Sequence, residues 1–168
     1  MPVIQLTVNQ SRIAIDRRRI RKTAKKILSV LDCNDAEVSI LVVDDEEMTE
    51  INTEHRQVND TTDVLSFPMR EGEFGDIQPD FLGDVVISAP TAQRVAELHD
   101  ADLGAIMDLL LVHGMLHLVG LDHASEEEAR SMDARTMELL TELGHEPRAF
   151  EWFLTEAQYR QTNDETSS

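Results

Sequence analysis

The sequence predicts an α+β fold, a single mixed sheet of about four strands with helices packed on it. Three observations carry that expectation. Short runs rich in Val, Ile and Leu occur at 3–8, 37–43, 64–67 and 83–88. Longer segments with apolar residues every three or four positions lie between and after them. The two kinds of segment do not alternate with the regularity of a doubly wound parallel sheet.

Val3 to Val8 alternates apolar and polar residues, the pattern of a strand with one buried face. Asp16 is placed to cap a helix with an apolar stripe of Ile20, Ala24, Ile27, Leu28 and Leu31. Glu37 to Val43 is more continuously apolar toward its end, which predicts a central strand. Asp44 or Asp45 opens a helix through Met48 and Ile51 to about His55. Asn59 to Thr62 reads as a turn, Val64 to Phe67 as a short strand, and MREGEFGDIQPDF as an irregular loop able to move over a site. Gly83 to Ser88 is the next strand, and Thr91 to His99 a helix. A further helix from about Asp102 carries Leu103, Ile106, Met107, Leu110 and Leu111 into His113 and His117, so it is expected in the core. Ser125 followed by Glu128 is a capping box opening a helix to about Leu143, which Gly144 ends. Residues 148–159 add a helical turn or two. With no repeat and no linker, residues 1–160 are expected to form one domain, and 161–168 a disordered tail.

The chemistry is concentrated in eleven residues, HGMLHLVGLDH, from His113 to His123. Positions four apart share a helix face, so His113 and His117 are able to offer nitrogens to one ion. Gly120 permits the left-handed conformation that ends a helix and turns His123 back toward the same ion. A single histidine on an apolar helix is more often a core residue than a ligand; three at this spacing point to a metal. Three ligands leave a fourth position open, which is the catalytic arrangement. Neutral imidazoles suit zinc, with nickel, copper or iron as alternatives. Such an ion keeps its full charge, lowers the pKa of bound water to about 7 and attracts an anion such as a phosphodiester. The spacing is also that of the metzincin peptidases, HExxHxxGxxH, but Gly114 replaces the glutamate that serves as their general base. Peptide hydrolysis is therefore disfavoured.

Composition narrows the partners. A chain of 168 residues with 15 basic and 33 acidic residues has a net charge of -18, which repels nucleic acid at long range. Binding to bulk DNA or RNA by charge alone is disfavoured, and no DNA partner is expected. The basic residues are not evenly spread: Arg12, Arg17, Arg18, Arg19, Arg21, Lys22, Lys25 and Lys26 lie in one stretch, which holds every lysine. A solvated helix face explains such a cluster, and so does contact with an RNA backbone or an acidic partner. The lone Cys33 excludes an internal disulfide and fits a reducing compartment. The start, MPVIQLTVNQ, lacks the features of a signal peptide and no apolar run is long enough for a membrane span, so a soluble cytoplasmic protein is expected.

HGMLHLVGLDH, TDVLSFP, GDVVIS and the arginine in EHRQVNDTTDVLSF, in this order, resemble the bacterial YbeY family of endoribonucleases, the rRNA maturation factors. The resemblance runs from about residue 36 to 145. It implies a zincin-like α+β fold and a zinc-dependent, single-strand-specific RNase acting in 16S rRNA 3′-end maturation and ribosome quality control. It also implies one zinc ion on His113, His117 and His123, a functional arginine at Arg56, and single-stranded rRNA and the ribosomal small subunit or its proteins as partners. Arg56 is a planar, permanently charged donor suited to phosphate. Asp122 is read as a carboxylate orienting a histidine or, equally, as a turn residue. Asp63 and Ser66 line the site, or order the turn and point outward. Asp84 is given no role, and Gly114 is read as room for close packing or for substrate. His55, His99 and His145 fall outside the ligand spacing and are read as surface or interface residues. Two alternatives stay open: a metal-dependent hydrolase of another substrate, and a non-catalytic ribosome-assembly factor with a structural metal.

Overall fold

The computed structural model describes residues 2–69 and 80–154. Its elements are β1 (Val3–Asn9), α1 (Arg17–Val30), β2 (Glu37–Val43), α2 (Asp45–Arg56), β3 (Val64–Pro68), β4 (Phe81–Ser88), α3 (Ala89–Leu98), α4 (Leu103–Leu118) and α5 (Glu126–Glu142), followed by a 3-10 turn at Pro147–Phe150. The strands form one mixed sheet in the order β1-β2-β4-β3. β1 with β2, and β2 with β4, run parallel; β3 is an antiparallel edge beside β4. This is the expected α+β class, and β2 is central as its apolar run requires.

Strand alternation divides the core between two faces. Val38, Ile40 and Val42 of β2 and Val85 and Ile87 of β4 join Ile20, Ala24, Ile27 and Leu28 of α1 and the apolar side chains of α4. On the opposite face, Val43 and Val86 meet Met48 of α2, with Leu65 and Phe67 of β3 beside them. Leu109, Leu110, Leu111 and Val112 are consecutive and all buried, so the middle of α4 is enclosed around its whole circumference. Among the described residues, no single helix is long and apolar enough to cross a membrane.

Several boundaries differ from the sequence reading, for local reasons. β4 begins at Phe81, so Gly83 lies inside the strand rather than at its start. Its φ of +138° and the Phe67 carbonyl, which occupies the place a Cβ would take, exclude a side chain. α3 begins at Ala89 rather than Thr91, because Ser88 caps it and a proline fits its first turn. α2 extends one residue to Arg56, and Gln57 ends it in the left-handed conformation. The predicted MREGEFGDIQPDF loop lies largely outside the described residues, as does the tail from residue 155 onward. Of the helical turns expected at 148–159, the described part supplies the 3-10 turn, and Phe150 and Phe153 bury themselves in the main core.

One carboxylate ties three elements together. Asp45, in the first turn of α2, accepts hydrogen bonds from Thr61 Oγ1 at 3.0 Å, Ser88 Oγ at 2.7 Å, Thr91 Oγ1 at 2.5 Å and Arg94 Nη2 at 2.7 Å. Burial by itself raises the pKa of this group, but the donors Thr91, Ser88, Arg94 and Thr61 together outweigh it and bring the carboxyl down to about 2. The folded state therefore holds the proton less tightly than the unfolded chain. The contribution is complete above the ordinary value of 3.8 and is lost as pH falls through about 2. Asp45→Ala is expected to lower unfolding free energy at neutral pH by about 1–3 kcal/mol. In urea titrations, its deficit relative to the unaltered chain should shrink steadily as the solution is acidified across that window.

Candidate metal centre

The site is built where α4 meets the antiparallel edge of the sheet. Gly114 is the point of closest approach: a Cβ there would lie 2.8 Å from Val85 Cγ1 and 3.3 Å from both Ser66 Oγ and Val64 Cγ2. Of the two roles considered for this glycine, close packing is the one the geometry meets. Ser66 points inward from β3, is buried, and its Oγ donates to the Gly114 carbonyl at 2.9 Å. That bond locks β3 to α4 between the two helical histidines in sequence. His113 and His117 then fall one turn apart on the side of α4 that opens to a cleft.

The helix ends as the glycine predicts. Gly120 has φ +98°, and the Gly120 and Leu121 amides donate to the carbonyls of His117 and Leu116 at 3.1 and 3.0 Å. The chain reverses and returns His123. The ring centroids of His113 and His117 are 4.6 Å apart, those of His117 and His123 5.4 Å, and those of His113 and His123 6.2 Å. His113 Nε2 and His117 Nε2 are separated by 3.2 Å. Two nitrogens on one tetrahedral zinc, each at about 2.0–2.1 Å, lie about 3.3–3.4 Å apart, so this pair is spaced to share an ion.

Asp122 joins the group. Ligating atoms of His117, Asp122 and His123 all lie within 4.8 Å of one another, whereas His113 enters through its contact with His117. Asp122 Oδ1 accepts from the His123 amide at 2.8 Å and stands 3.5 and 3.9 Å from the Nδ1 atoms of His123 and His117. At 3.5 Å that oxygen does not hydrogen-bond the ring, and His123 Nδ1 is buried without a partner. A buried orphan nitrogen beside two other imidazoles is what a metal-binding donor set leaves when described by protein atoms alone. The donors present therefore fit a zinc ion. Burial first, with His123 and Arg56 nearby, lowers the pKa of His117 against the opposing effect of Asp122 and the Leu121 backbone. The neutral ligating form is thereby favoured.

Arg56 reaches the same cleft from the end of α2. Its Nη2 donates to the Ser66 carbonyl at 2.9 Å, and its guanidinium lies 5.6 Å from the centre of the Phe67 ring. Arg56, Ser66, His113, His117, Asp122 and His123 line a cleft of about 390 Å³. All four residues singled out from sequence, Arg56 and the three histidines, are thus brought together. One neighbour of the cleft escaped the sequence reading. The Phe153 ring meets His113 edge-on at 5.2 Å, and no spacing connects these positions in the chain. Away from this cleft, His145, read as a surface or interface residue, is half-buried, with Nε2 2.7 Å from Asp108 Oδ2, because the turn after α5 folds it against α4. His55 and His99 lie away from the cleft, against Phe67 and Trp152 respectively. Asp63 orders the turn, its carboxylate accepting from the Val64 amide.

The profile of the endoribonuclease YbeY family matches residues 5–144. The chain belongs to the YbeY family. It is 41% identical over 138 residues to the endoribonuclease YbeY of Syntrophus aciditrophicus, covering 81% of this chain and 86% of that one. It is 42% identical over 148 residues to that of Syntrophotalea carbinolica, covering 87% and 99%. The YbeY protein of Geobacter sulfurreducens is 41% identical over 138 residues, with 81% and 92% covered. The solution structure of TM1509 from Thermotoga maritima matches with a TM-score of 0.55 at 21% identity, over 84% of this chain and 91% of that one, and shares the fold.

Gly114→Ala tests the close approach. The added methyl has to displace Val85 or push α4 from β3, so a loss of about 1–3 kcal/mol in urea unfolding is expected. A stability within error of the unaltered chain would mean that the helix rides higher on the sheet than described.

Proposed function

We propose that this protein is a zinc-dependent, single-strand-specific endoribonuclease that acts in 16S rRNA 3′-end maturation and ribosome quality control. Its partners are single-stranded rRNA and the ribosomal small subunit or its proteins, in the cytoplasm. The observation that carries the reading is the convergence of His113, His117, His123 and Arg56 on one cleft in a chain of the YbeY family. In this reading residues 1–160 are one catalytic domain and α4 is a zincin-like metal helix.

His113, His117 and His123 would hold the zinc ion. Bound there, zinc supplies Lewis acidity and brings the pKa of water to about 7. The remaining work belongs to the chain. Arg56, anchored through one nitrogen to the Ser66 carbonyl, keeps further N–H donors for the scissile phosphate and stabilises the charge that develops on it. Asp122 fixes the turn that presents His123 and places negative charge beside two imidazoles, which strengthens their donor character. Gly114, in the place of a peptidase glutamate, offers no proton acceptor for peptide hydrolysis.

Cleavage of single-stranded RNA by the purified protein, with His117→Ala and Arg56→Ala alongside, tests the reading. Both substitutions are expected to lower the rate by at least about a hundredfold. Only the histidine change should reduce bound zinc in elemental analysis, and Arg56→Ala should keep its circular dichroism spectrum. If protein stripped of metal cleaves as fast as the zinc-loaded form, the reading is wrong.

Zinc retention should also fall on acidification, because the histidines must shed protons to bind. Burial lowers the pKa of His117, so this imidazole sheds its proton more readily than an ordinary histidine. Equilibrium dialysis across the acid range checks the direction: release on raising the pH toward neutrality would contradict it.

A further inference from the structure

α1 carries a charge pattern that works against its own stability. Arg17, Arg18 and Arg19 fill its first turn, where the helix N–H groups already create positive potential, and the capping carboxylate of Asp16 is the one acidic group set against three cations. Arg17 with Arg21, Arg18 with Lys22, Arg21 with Lys25 and Lys22 with Lys26 are like charges four residues apart on the same helix, each pair repulsive. Residues 12–26 hold eight of the chain's 15 basic residues against one acidic residue, Asp16, in a protein of net charge -18. Folding does not call for this arrangement, and a local rule broken without structural gain marks a place shaped by binding.

The cations are also available. Arg19 is committed, its Nη2 donating to Asp108 Oδ2 at 2.9 Å. Among the described residues, Arg18, Lys22, Lys25 and Lys26 are exposed and in no ion pair. These four border a cleft of about 780 Å³ that α5 closes on its other side with Glu142 and Leu143. Asp108, at the same cleft, lies nine residues before His117 on α4, which is about 13 Å along the helix and half a turn around it. The basic cleft is thus separate from the histidine cleft.

We propose that this face of α1 binds the phosphate backbone of the RNA substrate outside the catalytic cleft, through Arg18, Lys22, Lys25 and Lys26. The proposal rests on the reading of the protein as an endoribonuclease. The histidine cleft has one arginine, Arg56, and a carboxylate, Asp122, among its lining residues, and the acidic remainder of the chain repels a polyanion. Affinity for a long RNA must come from a concentrated cationic surface. Cations four residues apart stand about 6 Å apart along the helix, a row suited to a flexible chain with one charge per nucleotide. Each phosphate neutralised there releases counterions. An acidic protein would feel the same attraction, but cleavage of RNA does not require one.

The test compares the unaltered protein with Arg18→Gln/Lys22→Gln/Lys25→Gln/Lys26→Gln and with a charge-preserving variant, Arg18→Lys/Lys22→Arg/Lys25→Arg/Lys26→Arg. Glutamine keeps helix propensity and removes the repulsive pairs, so the first variant is expected to fold, which circular dichroism verifies. Binding is read by fluorescence anisotropy with a non-cleavable 2′-O-methyl RNA of about 25 nucleotides. The glutamine variant should bind about tenfold or more weakly, with a slope of log affinity against log salt shallower by about 3, and the charge-preserving variant should match the unaltered protein. kcat/KM should fall in parallel for a long RNA and stay unchanged for one of about five nucleotides, which occupies the catalytic cleft alone. Equal RNA affinity and salt slope in the unaltered and glutamine proteins would overturn the proposal. So would loss of binding to polyglutamate with RNA affinity retained, which assigns the face to an acidic protein. Anisotropy needs no catalysis, so a protein that binds RNA through this face but never cleaves it would sink the endoribonuclease reading alone.

Discussion

Everything functional in this fold is referred to one close contact, the seating of α4 on β3 and β4 at Gly114. The absence of a side chain there lets the helix approach Val85 and Val64 directly, and the Ser66 hydroxyl closes the gap by donating to the Gly114 carbonyl. Ser66 has a second role through its own carbonyl, which accepts from Arg56. One residue of an edge strand therefore meets the histidine helix on its side chain and the arginine on its backbone. The distance between the histidines and Arg56 is set by that residue. It is not set by either helix alone.

How much of this was legible in the chain depended on how local the cause was. The histidine trio and its glycine lie within eleven residues, and helix periodicity with a left-handed cap is enough to bring them together. The caps at Asp16 and Ser125 were equally visible, because a side chain and an amide three positions on suffice to make them. Arg56 was legible through family resemblance, since nothing near it in sequence says that a strand ten residues later will hold its guanidinium. Phe153 against His113, and His145 against Asp108, were not legible at all: both contacts join segments about forty residues apart, and only the packed core decides them. The direction of Ser66 was ambiguous for a related reason, since a short edge strand with mixed side chains does not declare its register.

Two carboxylates, the partly exposed Asp45 and the buried Asp108, show how so acidic a chain accommodates charge between its elements. Asp45 is surrounded by hydroxyls and Arg94. Asp108, buried on α4, takes Thr23 Oγ1 at 3.0 Å, Arg19 Nη2 at 2.9 Å and His145 Nε2 at 2.7 Å. Each satisfies its lone pairs from several elements at once, the condition for a buried charge to hold a structure together rather than disrupt it. Asp108 joins α1, α4 and the turn after α5, so the helix that carries His113 and His117 is held near its start by charge and at Gly114 by contact.

The turn at Gly120 keeps the three histidines close in sequence, while Arg56 arrives from a distant helix by way of the sheet edge. These two halves of the cleft assemble by different routes. A slip of the sheet edge would displace Arg56 and the seat of Gly114 together, since Ser66 of β3 meets both, whereas the turn at Gly120 is closed by its own backbone bonds.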